Sequence, residues 1–129
     1  MQDRPTAEEL LRAVKDHLER EVLPALSNPK LRFQTLVAAN ILGVVEREVA
    51  HGERAAREEL KSLRALDGVA TSPEPATLAD VRDEVGRRTL ALCAAIRTGD
   101  AASRPEVRAH VRAVTLAKLA VANPAYKSL

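Results

Sequence analysis

Two residues have side chains at odds with their surroundings. Asn40 lies in a run from Phe33 to Val45 that carries no charge. At 100° per residue it falls between Leu36, Phe33 and Val44, inside an apolar face. A buried amide without partners costs about 1–3 kcal/mol, so the pattern demands something to satisfy it. Lys118 poses the same problem among Val107, Val111, Val114 and Val121. Its ammonium either reaches solvent along its aliphatic stem or forms one end of a polar cluster. The residues that such a cluster or pocket would draw on are Arg32, Asn40, Glu48, Lys118, Asn123 and Tyr126. Two readings stay open: a structural lock that fixes helix register, or a pocket in which Arg32, Lys118 or Asn123 meets the polar end of an acyl or CoA-like ligand.

A second constellation is Arg104, Arg108 and Arg112, spaced by four and so forming one stripe of a helix. From Gly99 onward there are five bases against two acids, while Met1–Leu26 has four bases against six acids. The basic end reads as a solvated face or a docking face for an acidic partner. Nucleic-acid binding would call for more positive charge and for aromatic platforms, and aromatic residues make up only 2% of this chain.

Other chemistries find no footing. The five glycines never cluster into a phosphate-cradling loop. His17, His51, His110 and Cys93 have no companions at metal-ligand spacing, so neither a metal nor a cofactor is expected. No serine stands in a nucleophile-elbow context. Glu46 and Glu48 diverge on a helix, and the Glu-x-x-His motif of di-iron bundles does not occur. The expectation is a protein without independent catalytic activity.

The elements that must position these residues are helices. With 129 residues the chain has the size of one domain, read here as a single helical bundle over 1–129. Its net charge is +2, and 46% of it is apolar, chiefly aliphatic. Residues 1–5 read as a flexible leader, and Thr6-Ala7-Glu8-Glu9 has the capping-box pattern. Leu10, Leu11, Val14, Leu18 and Val22 give the first helix its stripe, which Pro24 ends or kinks. After the Ser27-Asn28-Pro29 turn, a helix over Leu31–Val49 is apolar almost all round, which suits a central strut. His51-Gly52 offers a C-cap or a bend before a further helical stretch to Asp67, and residues 69–76 form a surface loop.

Thr77 and Asp80 then open another helix, with its stripe on Leu78, Val81, Val85, Leu92 and Ile96. A last helix starts near Arg104-Pro105-Glu106 and stops at Asn123-Pro124. The expected fold is all-α, an antiparallel bundle of four to five helices around the central apolar one. Gly43, one turn after Ala39, marks a flat patch suited to close approach of another helix. Ala91, Ala94 and Ala95, with Ala55 and Ala56, could pair two protomers into a homodimer. A single cysteine, an acid-interrupted N-terminus and an apolar run too short for a bilayer point to a cytoplasmic protein with no membrane partner.

Three stretches together resemble a known family: Arg4–Leu11, Leu31-Arg32-Phe33 continuing through Asn40 to Glu46-Arg47-Glu48, and Lys118–Tyr126. The chain resembles a bacterial small all-helical domain family of unknown function, encoded beside or fused to aminoglycoside-phosphotransferase-like kinases and near acyl-CoA dehydrogenases. The resemblance supplies no catalytic residue. It implies an accessory module that binds such a kinase or dehydrogenase, and it implies that Asn40 and the closing Asn-Pro-x-Tyr belong to one feature. The competing expectations are a small-ligand-binding bundle and a self-associating structural protein.

Overall fold

The computed structural model describes residues 3–99 and 101–126. Every regular element among them is helical, as composition demands: α1 Ala7–His17, a π-helical turn Leu18–Val22, α2 Leu23–Ala25, α3 Pro29–Leu66, α4 Leu78–Arg97 and α5 Pro105–Ala122. No helix among the described residues is long and apolar enough to cross a membrane. The chain divides into two compact units, Met1–Gly52 and Glu53–Leu129.

In the first unit, Thr6 caps α1 through a reciprocal box. Its hydroxyl accepts from the Glu9 amide at 3.2 Å, and its own amide donates to Glu9 Oε2 at 2.8 Å. Two of the free amides of a helix start are thereby satisfied. Pro24 has no N–H to give the carbonyl four residues back, and the wider π turn over Leu18–Val22 immediately precedes it. The Asn28 carboxamide then caps α3, accepting from the amides of Lys30 at 2.9 Å and Leu31 at 3.2 Å.

α1 lies against α3 where α3 is narrowest. Ala39 and Gly43 are buried, and a Cβ at Gly43 would stand 3.2 Å from Lys15 Cε. The flat patch read from the sequence is therefore filled by the aliphatic stem of Lys15, and Arg12 Nε donates to Glu46 at 2.8 Å beside it. The expected cap or bend at Gly52 gives way to an unbroken helix to Leu66. The Glu48 carboxylate folds over Gly52, and an added Cβ would meet Oε1 at 2.6 Å and push aside the flexible end of that side chain.

The second unit has the larger side chains at its core. Leu60 and Leu63 of α3, Val81 of α4, Ala101 of the following loop and Val107 of α5 are all buried. Gly68 ends α3 with φ +73°, its amide donating to Ala65 and that of Val69 to Arg64, the reciprocal pattern of a Schellman motif. Thr77 caps α4, accepting from the Asp80 amide at 3.1 Å. Gly99 closes α4 with φ +88°.

Two glycine substitutions should have opposite signs. Gly86 lies inside α4 with nothing within 4 Å of an added Cβ. Gly86→Ala should stabilise the protein by about 0.5–1 kcal/mol through helix propensity alone. Gly68→Ala must force a left-handed residue and should destabilise by about 1–2 kcal/mol. Chemical denaturation of the two variants beside the parent protein checks both.

Candidate functional site

The most highly organised polar cluster centres on Arg64, in the last turn of α3 and only 7% exposed. Its Nε and NH2 donate to the two oxygens of Glu84 on α4, each at 2.8 Å, the fork-on-fork geometry that makes Arg–carboxylate pairs strong. NH1 donates to the carbonyls of Ser72 and Pro73, both at 2.9 Å. Glu84 also accepts from Arg88 Nε at 2.8 Å, one turn along α4, and Arg88 reaches Asp67 with NH1.

Two cations thus face two carboxylates, and the interior charge balances. Hydrogen bonds from Arg64 first and Arg88 second hold the Glu84 carboxyl down from 4.5 to about 2. Arg57, seven residues before Arg64 and so on the same side of α3, donates to the Pro75 carbonyl at 3.1 Å. Between them the two arginines hold a loop whose prolines offer acceptors but no donors. The cluster fixes the 67–77 connection to α3 and α4. Glu84 accepts from both arginines, and the half-exposed Asp67 accepts from Arg88.

A second buried polar contact joins α3 to α5. Ser62 Oγ lies 2.7 Å from His110 Nδ1, with His110 buried. A Ser–His contact is the start of a nucleophilic constellation, yet catalysis also needs an orienting acid and oxyanion donors. Here both residues sit in helix interiors among Leu63 and Val107, and the contact satisfies a buried imidazole. Three residues before Ser62, nearly one turn, Glu59 pairs with Lys118 Nζ at 3.9 Å.

Several of the residues singled out by sequence are engaged locally. Arg32 donates to the carbonyls of Leu23 and Leu26 at 2.8 and 2.9 Å, closing the end of α2. Asn40 is exposed, so water meets its amide and the cost of burying it does not arise. Glu48 covers Gly52. Lys118 is 70% exposed, the snorkelling geometry, with its ammonium toward Glu59.

Asn123 ends α5, its amide donating to Leu119 at 2.8 Å and its carbonyl accepting from the amide of exposed Tyr126 at 3.0 Å. Arg32, Asn40 and Glu48 belong to the first unit and Lys118, Asn123 and Tyr126 to the second. In the basic stripe, Arg104 turns to Glu106 at 2.9 Å and Arg108 to the Ser103 carbonyl at 3.3 Å, while Arg112 is exposed. Among the described residues no group of three His, Cys, Asp or Glu side chains is placed to hold a metal.

The sequence reading missed the Arg64–Glu84 and Ser62–His110 contacts. For His110 a signal existed, since it falls on the same buried stripe as Val107 and Val114. It also missed how much apolar surface stays open. Phe33, Leu36, Val37, Ile41, Val45 and Val49 of α3 are all exposed, as are Leu10 and Val14 of α1. The inward side of this stretch carries small residues, and its outward side carries the large ones.

Helix packing, a charge-balanced clamp and an open apolar face together define a small all-α domain built from helical hairpins. The model of the domain of unknown function DUF6285 matches residues 24–126, and the chain belongs to that family. No curated protein and no solved structure matches it.

Three expectations test this geometry. Glu84→Gln leaves Arg64 without its carboxylate and should lower the thermal midpoint by about 10 °C. Because the Glu84 carboxyl is held low in the folded state, its contribution is complete above about pH 4.5 and is lost as pH falls toward 2. Thermal unfolding between pH 6 and 2 should show that decline, and the Glu84→Gln variant should show less of it. Ser62→Ala strands the buried imidazole and should cost about 1–3 kcal/mol, measurable by denaturant unfolding.

Proposed function

We propose that this chain is a non-catalytic interaction module, serving a phosphotransferase-like kinase or the acyl-CoA dehydrogenase of the same system. The observation that carries the reading is the exposed apolar face of the first unit, where Phe33 is 66% and Ile41 57% open. Contiguous apolar surface of this kind marks an interaction site on a soluble chain. The polar clusters support the same reading: the arginines donate to Glu84, Asp67 and loop carbonyls, and His110 meets Ser62, holding helices in place. The family resemblance of the Arg4–Leu11, Leu31–Glu48 and Lys118–Tyr126 stretches nominates the kinase as the first partner to try. The basic stripe at the start of α5, with Arg112 exposed, offers an acidic partner a separate electrostatic docking edge.

Co-expression with an aminoglycoside-phosphotransferase-like kinase of the kind the resemblance implies, followed by size-exclusion chromatography, should give co-elution at micromolar concentration. Arg108→Glu combined with Arg112→Glu should weaken that complex about tenfold and flatten its salt dependence. Separate elution of the two proteins, with kinase activity unchanged by addition of this chain, would overturn the assignment.

A further inference from the structure

We infer that the outer face of α3 between Lys30 and Glu48 is the contact surface for a second copy of this chain, paired antiparallel across a two-fold axis. The inference rests on the interaction-module reading and goes beyond it by assigning this face to a second copy, which leaves the basic edge of α5 for a different partner. On the helical wheel, the centre of this face carries Lys30, Gln34, Val37, Ile41, Val44 and Glu48, spaced 4, 3, 4, 3 and 4. That is the seam of a coiled-coil contact, in which one helix's knobs enter the other's holes. Phe33 and Val45 flank the seam, and both are exposed. The opposite side of the same segment carries the buried Ala39 and Gly43 that meet α1, so the seam points away from the hairpin's own packing.

The seam is complementary to itself in one orientation only. It ends in a base, Lys30, and in an acid, Glu48. A two-fold axis opposite Ala39 sets Lys30 of each chain against Glu48 of the other. It also sets Phe33 against Val45, Gln34 against Val44, and Val37 against Ile41. Parallel pairing would oppose Lys30 to Lys30 and Glu48 to Glu48, which electrostatics disfavours. An isologous contact of this kind is what a closed dimer requires. Phe33, Val37, Ile41 and Val45 are the exposed apolar side chains that this contact would cover.

Sedimentation velocity of the full chain, between about 1 and 100 µM and without any partner protein, should give twice the 14.0 kDa chain mass at the upper end. Ile41 is more than half exposed, so Ile41→Glu should retain the helical circular dichroism while the dimer dissociates at least a hundredfold more readily. Lys30→Glu and Glu48→Lys should each weaken the dimer about tenfold, and the double variant should restore it. A parent chain that is monomeric throughout the range, or a dimer indifferent to Ile41→Glu, overturns the proposal. Failure of the double variant to recover overturns the antiparallel register. A monomer that still co-elutes with the kinase would sink the dimer and leave the interaction module standing, so the two readings fail separately.

Discussion

The second unit depends on what happens to one buried guanidinium. Moving a charge out of water costs several kcal/mol unless each of its donors finds an acceptor in good geometry. Arg64 meets that condition by linking three parts of the chain that are distant in sequence. Its fork engages Glu84 on α4, and its remaining nitrogen engages the Ser72 and Pro73 carbonyls. The loop needs the arginine as much as the arginine needs the loop. Pro73 and Pro75 cannot donate hydrogen bonds, so the carbonyls around them have no ladder or turn of their own to join. Arg88 closes the circuit by sharing Glu84 and reaching Asp67 at the end of α3. Helix direction, loop path and charge balance are therefore one constraint.

Local signals in the sequence place most of the helix boundaries. Thr6 with Glu9, Thr77 with Asp80, Pro105 and the two positive-φ glycines each act on amides or carbonyls within a few residues, and each element starts or stops where those residues place it. Gly52 shows where local reading stops. A glycine after a histidine has the pattern of a cap, yet the helix continues through it, with the Glu48 carboxylate folded over Gly52. The Arg64–Glu84 contact spans twenty residues and Ser62–His110 spans forty-eight. Nothing on either helix's own wheel says which helix lies opposite, so ordinary-looking arginines and glutamates gave no sign that one pair would be buried. Asn40 illustrates the reverse error. Its wheel position among Leu36, Phe33 and Val44 was read correctly, but an apolar face is not necessarily a buried one.

The two units use their apolar residues differently. In the second, leucine and valine side chains are enclosed, and the polar groups beside them are paired. In the first, what is buried is small: Ala39 and Gly43, with the stem of Lys15 laid across them. Small residues let helices approach closely, but they remove little area from water, so this contact alone gains little from the hydrophobic effect. The large side chains of the Phe33–Val49 segment face the other way. A sequence that places its bulkiest apolar residues on the outside, bounds them with opposite charges at Lys30 and Glu48, and interrupts them with a single amide at Asn40 specifies a surface with an orientation. Such a surface stabilises the hairpin only when something covers it, which makes folding of the first unit and occupation of its outer face thermodynamically linked.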